Sequence, residues 1–195
     1  MPFLQNAKFL ISANHYNELP DDDGIEIAFA GRSNAGKSSA LNALAENRKL
    51  ARTSKTPGRT TEINFFRVNK NLRLLDLPGY GFAKSDKSKK KDWGPMLGEY
   101  FQKRYCLKVV VVFMDIRHPL KEIDIDMIGL CRDFDIEFLP VLTKSDKVSN
   151  NQIFKVKQEV QNKTGVKEVL TISTLKDQGI KELRRHLISY SLKDE

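Results

Sequence analysis

Residues Gly31-Arg-Ser-Asn-Ala-Gly-Lys-Ser38 carry two glycines, a lysine and a hydroxyl at the spacing G-x-x-x-x-G-K-[ST]. That residue set suits the holding of a chain of phosphates. Gly31 and Gly36 let the backbone turn tightly, so that N–H groups across Arg32, Ser33, Asn34 and Ala35 can face one concavity. Lys37 can reach the β- and γ-phosphates and Ser38 can offer its hydroxyl to Mg²⁺. A helix starting near Lys37 would add the positive end of its dipole. The alternative, a chance glycine-rich turn, is disfavoured by the flanks: the apolar run IEIAFA (25–30) precedes it and the helix-like KSSALNALAEN follows.

Three later segments select among nucleotides and reactions. In DLPG (76–79), Asp76 can hold Mg²⁺ through water. Leu77 and Pro78 carry the chain on to Gly79, whose N–H can bond a γ-phosphate and so report its presence. In TKSD (143–146), the Asp146 carboxylate is acceptor-only and matches the paired N1–H and N2–H donors of guanine. Adenine lacks that donor pair and would leave the carboxylate unpaired. Lys144 can lay its stem along the base or brace the phosphate loop, with Thr143 and Ser145 around it. The IST stretch (Ile172, Ser173, Thr174) can present backbone N–H groups to the guanine carbonyl. Each short motif alone is commonly just a turn. In this order, each after an apolar run, they would line the C-terminal edge of one parallel sheet, where such sheets take ligands. The chemistry expected is hydrolysis of GTP to GDP and phosphate. In TPGRTTEINFF (56–66), Thr56, Thr60 and Thr61 each have the hydroxyl to complete a Mg²⁺ shell, and Pro57–Gly58 suggests a mobile loop.

Tyr80 follows Gly79, where many such switches carry a water-orienting Gln. A phenol on a rigid ring cannot orient water as a carboxamide does, so hydrolysis by the chain alone is expected to be slow. Asn34 allows two readings. It can help to hold K⁺ against the phosphates, neutralising charge between them as an arginine finger does, or it can simply tolerate a left-handed backbone. Five lysines (Lys84, Lys87, Lys89, Lys90, Lys91) then stand within eight residues against one acid, Asp86. A solvated loop is the plain account. Contact with RNA phosphates is favoured, since the run follows the segment that GTP would order. Phe82 and Trp93 flank it, and Trp93 reads as a helix core residue.

The elements that must position these residues follow a strand–helix alternation. Apolar runs at 25–30, 62–68, 71–77, 107–116, 136–143 and 166–172 read as strands, the second and third joined by a tight turn at Asn69–Asn71. Helical spacing recurs at 92–105, 120–133, 149–163 and 178–190. The expectation is a three-layer α/β fold: a mostly parallel six-stranded sheet with one antiparallel strand and helices on both faces. Residues 1–24 read as a leader ending in the turn-rich LPDDDG, and 25–195 as a single nucleotide-binding domain.

Composition restricts the alternatives. The 195-residue chain suits one domain, and its formal charge of +8 favours a polyanionic partner such as nucleic acid. The longest apolar stretch, Val109–Met114, is far short of a membrane span, and no signal-peptide pattern begins the chain. Cys106 and Cys131 read as buried thiols of a reducing cytoplasm, and no histidine pair has zinc spacing.

The stretches GRSNAGKSS, TPGRTTEINFF, LLDLPGYGFA, DIRHPL, TKSDKVS and TISTLKDQG together resemble the EngB-type (YihA/YsxC) GTP-binding proteins of ribosome biogenesis, among the Era-like, translation-factor-related GTPases. The resemblance runs from about residue 25 to 190. It implies Ser38 and Thr60 as Mg²⁺ ligands, with Gly58, Arg59, Thr60, Thr61 and Glu62 contributing to nucleotide contact. It also implies Asp76–Gly79 as the γ-phosphate switch, Thr143–Asp146 as the guanine reader and Ile172–Thr174 as its backbone support. Thr61 stands where the family often has Gln, and Thr174 where it often has Ser. By the same resemblance the chain would act in assembly of the large ribosomal subunit and support cell division and septation; it is expected to be a cytoplasmic monomer. Two rivals remain. A small P-loop kinase would leave the guanine reader idle. A nucleic-acid-binding module with a decayed nucleotide site would not need Lys37, Ser38 and Asp76 intact.

Overall fold

The computed structural model describes residues 4–51, 62–79 and 96–191. In chain order it contains β1 (Lys8–Ala13), β2 (Ile25–Gly31), α1 (Lys37–Leu44), β3 (Ile63–Arg67), β4 (Leu72–Asp76), a helix α2 described over 96–103, β5 (Leu107–Asp115), α3 (Glu122–Asp133), β6 (Glu137–Thr143), α4 (Asn150–Thr164), β7 (Leu170–Thr171) and α5 (Ile180–Ser191). The strands form one seven-stranded sheet in the order β1-β3-β4-β2-β5-β6-β7. β3 runs antiparallel to both of its neighbours, and the pairs from β4 through β2, β5 and β6 to β7 are parallel.

The central strands read as continuous apolar runs because both of their faces are covered. Along β2, Ile27 and Phe29 face α1 and α5, packing with Leu41, Leu44, Leu183 and Leu187. The alternate residues Ala28 and Ala30 face α2, α3 and α4, with Tyr100, Phe101, Met127, Ile128 and Val160. In β5, Val111 and Phe113 belong to the first layer and Val110, Val112 and Met114 to the second. Parallel pairing places the carboxyl ends of β4, β2, β5, β6 and β7 at one edge, and the period of two fixes which side chains emerge there.

The sheet has seven strands where six were expected. The added strand, β1, comes from KFLISA in the segment read as a leader. It pairs antiparallel with β3, Phe9 packing edge-on against Phe66 at 6.0 Å. Only Ala13 of its six residues is fully buried, and Lys8 and Ser12 interrupt the apolar residues, so it lacks the long apolar run that marks the inner strands. The expected last strand, 166–172, shrinks to Leu170–Thr171, which pairs on one side with β6. The turn at Asn69–Asn71 is closed by Asn69 itself, whose Oδ1 accepts from the N–H groups of Asn71 and Leu72, both at 2.8 Å. Helix α4 starts one residue later than its apolar spacing suggested because Ser149 caps it. Ser149 N donates to Gln152 Oε1 at 3.0 Å and Ser149 Oγ accepts from Gln152 N at 3.4 Å.

At the opposite edge, the fully buried Glu26 accepts from Arg73 Nε (3.0 Å), Arg104 Nη2 (2.6 Å) and Tyr100 Oη (2.7 Å). Arg104 also donates to the carbonyls of Pro20 and Asp21, at 2.7 and 3.1 Å. A buried carboxylate is tolerable only with such partners. The cluster pins the LPDDDG turn and the end of α2 to β2 and β4.

Candidate functional site

The expected phosphate loop lies where β2 leaves the sheet. At Gly31 a Cβ would stand 3.0 Å from the Phe113 carbonyl oxygen and 3.2 Å from its Cβ, so a larger residue there would press β2 away from β5 by a few tenths of an ångström. The chain then turns through two left-handed residues, Asn34 (φ 63°) and Gly36 (φ 89°), with the Ala35 N–H closing onto the Arg32 carbonyl at 3.0 Å. Such a turn aims successive N–H groups into a concavity suited to an anion. Gly36 is the N-cap of α1 and brings no side chain to the first-turn N–H groups.

Lys37 is buried on the first turn of α1. Its ammonium bonds the Asp76 carboxylate at the end of β4 and donates to the Leu77 carbonyl at 2.7 Å. β2 and β4 are adjacent, with Phe29 opposite Asp76, so strand pairing itself brings Asp76 beneath the loop. Beyond Leu77 and Pro78, a Cβ on Gly79 would lie 3.6 Å from Ser33 N, which places the end of DLPG against the phosphate loop. Ser38 follows Lys37, half-buried. The Ser38 hydroxyl and the Asp76 carboxylate are hard oxygen donors of the kind Mg²⁺ takes. Among the described residues no group of three or more His, Cys, Asp or Glu could hold a metal.

The expected base reader is tied onto that loop. Thr143, last residue of β6, donates from Oγ1 to the Ala35 carbonyl at 2.7 Å. Lys144 is left-handed (φ 59°), and its Nζ donates to the Asn34 carbonyl at 2.9 Å. The Ser145 N–H reaches the Ile172 carbonyl at 3.1 Å, and the Ile172 N–H reaches that of Leu142 at 2.8 Å. Ser173 is fully buried and donates from Oγ to Asp146 Oδ1 at 2.5 Å, a bond that holds the Asp146 carboxyl below its ordinary range. Thr174 is exposed in the turn that follows.

The structure therefore gathers Gly31–Ser38, Asp76–Gly79, Thr143–Asp146 and Ile172–Thr174 along one sheet edge. Glu62 lies at that edge two strands from β2, where it accepts from Asn14 Nδ2 at 3.2 Å. Thr56, Gly58, Arg59, Thr60, Thr61, Tyr80, Phe82, the lysines of 84–91 and Trp93 lie outside the described residues.

Four residues given no role in the sequence reading, Asp115, Arg117, His118 and Asp124, surround the loop. Arg32 donates from Nη2 to the His118 carbonyl at 3.0 Å, and its Nε lies 3.4 Å from Asp124 Oδ2. Asp124 is fully buried, and burial pushes its carboxyl above the ordinary range. Asp115 ends β5 and binds both Arg117 and Lys144. The available signal was positional: DIRHPL directly follows the longest apolar run, and carboxyl ends of central strands carry ligand-site residues.

A family model described as a 50S ribosome-binding GTPase matches residues 26–144. The probable GTP-binding protein EngB of Colwellia psychrerythraea is 53% identical over 180 residues, covering 90% of this chain and 80% of that one. Its counterpart in Coxiella burnetii is 56% identical over 160 residues, with 82% and 78% covered. Among solved structures, a probable GTP-binding protein engB superposes with a TM-score of 0.71 at 24% identity, covering 86% of this chain and 99% of that chain. Era, solved in complex with MgGDPNP and nucleotides 1506-1542 of 16S ribosomal RNA, superposes with a TM-score of 0.66 at 19% identity, covering 86% and 57%. At those identities the two structures speak for the fold.

Proposed function

This chain belongs to the EngB family of GTP-binding proteins and is a GTPase, and from that premise we propose that it works as a nucleotide-controlled switch in assembly of the large ribosomal subunit. One observation carries the site assignment: the base-reading loop is bonded to carbonyls of the phosphate loop, Thr143 to Ala35 and Lys144 to Asn34. Base and phosphate recognition thereby become one rigid unit. Asp146, oriented by Ser173, accepts from guanine, while N–H groups of 31–38 and the Lys37 ammonium hold the phosphates. Ser38 and Thr60 are the proposed Mg²⁺ ligands, with Asp76 reaching the ion through water. Mg²⁺, when bound, offsets charge on the β- and γ-phosphate oxygens. Gly79, set against the phosphate loop, bonds the γ-phosphate and passes its presence to the residues that follow.

Hydrolysis is slow on this reading because Tyr80 replaces the water-orienting Gln; Asn34 would help to hold K⁺, whose charge would supply part of the missing stabilisation. The ribosomal assignment is supported by the description of the matching family and by the charge of +8, concentrated at Lys84–Lys91. A role in division and septation rests on the family resemblance alone. Co-sedimentation with separated ribosomal subunits tests the proposal. The protein should pellet with large subunits when loaded with a non-hydrolysable GTP analogue, and less so with GDP or with ATP added. Pelleting that ignores the nucleotide, or follows small subunits, would overturn it.

A further inference from the structure

β5 lies between the strand that delivers the phosphate loop and the strand that delivers the base reader. Its last residue, Asp115, stands in register with Thr143, one residue before Lys144. The Asp115 side chain is largely buried and its carboxylate is fully engaged. Oδ1 accepts from Arg117 N (3.1 Å) and Nε (2.9 Å), and Oδ2 from Arg117 Nη2 (2.6 Å) and the Lys144 ammonium (2.9 Å). The same ammonium donates to the Asn34 carbonyl at 2.9 Å. Lys144 is thus held at two points, one on each side of the crevice.

We propose that Asp115 is a positioning residue for nucleotide binding, fixing the Lys144 ammonium so that the base-reading loop stays bonded to the phosphate loop. This rests on the reading of Thr143–Asp146 as the guanine reader. A lysine has many rotamers of similar energy, and a single bond to a carbonyl leaves most of them open. A second, charge-assisted bond from a carboxylate anchored on a central strand selects one. Arg117 completes the arrangement. Its two-toothed grip orients the carboxylate, leaving one lone pair of Oδ2 aimed at Lys144. Asp115 touches no nucleotide on this account and acts through the lysine. Losing it should therefore loosen the tether and speed GDP release.

A double-mutant cycle on the full chain tests this, with release of a fluorescent GDP analogue as the readout. Asp115→Asn and Lys144→Met should each accelerate release, by roughly 5- to 10-fold for a tether of this kind. The double variant should release no faster than Lys144→Met alone. Additive effects, or an Asp115→Asn variant that releases GDP at the parent rate, would overturn the proposal. Should Asp115→Asn fail to fold, Asp115→Ser takes its place in the cycle, keeping an acceptor for the Arg117 N–H. Asp146→Asn in the same assay with guanine and xanthine nucleotides reports on the underlying reading. A switch towards xanthine together with an additive cycle removes only the role of Asp115, whereas no switch removes the reader itself.

Discussion

The hydroxyl of Ser173 donates to Asp146 Oδ1 at 2.5 Å, joining the turn after β7 to the loop after β6. The contact leaves Oδ2 of the largely buried carboxylate facing Lys147 at 3.5 Å and sets the plane of the group. Orientation matters because two parallel bonds to guanine require both donors and the carboxylate to be coplanar.

Asp146→Asn turns an acceptor-only group into a mixed one, and the preference should move from guanine towards xanthine. A paired contact of this type discriminates by roughly 10- to 100-fold. Competition of GDP and XDP for the variant reads the change. An unaltered GDP affinity would remove Asp146 from base reading. Ser173→Ala should weaken GDP binding less, because it frees the plane of the carboxylate without removing the acceptor.

Lys37→Ala should abolish most GTP binding and also destabilise the fold. The ammonium is buried against Asp76, and its loss leaves a buried carboxylate unpaired, at a cost of about 3 kcal/mol. Ser38→Ala leaves that pair intact. It should weaken Mg²⁺-dependent GTP binding more than GDP binding, with little change in melting temperature. Normal GTP affinity in both variants would dismiss the phosphate-cradle assignment.

The site was far more legible than its supports. The proposed phosphate loop and base reader stand out because the chemistry assigned to them needs fixed residue types at fixed spacing, whatever surrounds them. Asp115 does not, since it acts on Lys144 across the fold and no local pattern links the two. Nor does β1, whose apolar residues Phe9, Leu10 and Ile11 are bounded by Lys8 and Ser12, a run too short to be recognised as an inner strand. At Asn34 the residue type alone left an ion ligand and a left-handed turn equally open. The observed φ of 63° establishes the turn and leaves the ion to experiment.

The two cysteines carry a prediction about alkali. Cys106 and Cys131 are free and buried. Burial pushes the Cys131 thiol up to about 12 and that of Cys106 higher still. Both should resist thiol reagents at pH 8 in the native protein and react on unfolding, because the thiolate is the reactive form. A raised acid also fixes the sign of the pH effect. The stability that Cys131 contributes is fully present below its ordinary value of 9.0 and is lost as pH climbs towards about 12. Urea midpoints between pH 8 and 11 should therefore fall, and a Cys131→Ala variant should fall less steeply. Rapid labelling of the native protein would show that the layer under α3 opens readily.

The last prediction concerns the water-orienting glutamine that Tyr80 replaces. If the site lacks that group, hydrolysis by the isolated protein should be slow in Na⁺. If Asn34 helps to hold a monovalent cation, replacing Na⁺ by K⁺ at equal ionic strength should raise the rate. The larger, less strongly hydrated ion can span phosphate oxygens and a carboxamide together. The choice of variant decides whether the test is clean. Asn34 is left-handed, so alanine there would add about 1 kcal/mol of backbone strain whatever the ion does. Asn34→Gly removes the carboxamide without that strain, and it keeps the carbonyl that Lys144 bonds. The glycine variant should bind GDP nearly as the parent does and lose the K⁺ stimulation, because the ion acts on charge that develops in the transition state. Stimulation that survives in Asn34→Gly would assign the cation to other ligands. Equal rates of the parent in the two salts would place the missing stabilisation on the ribosome or another partner.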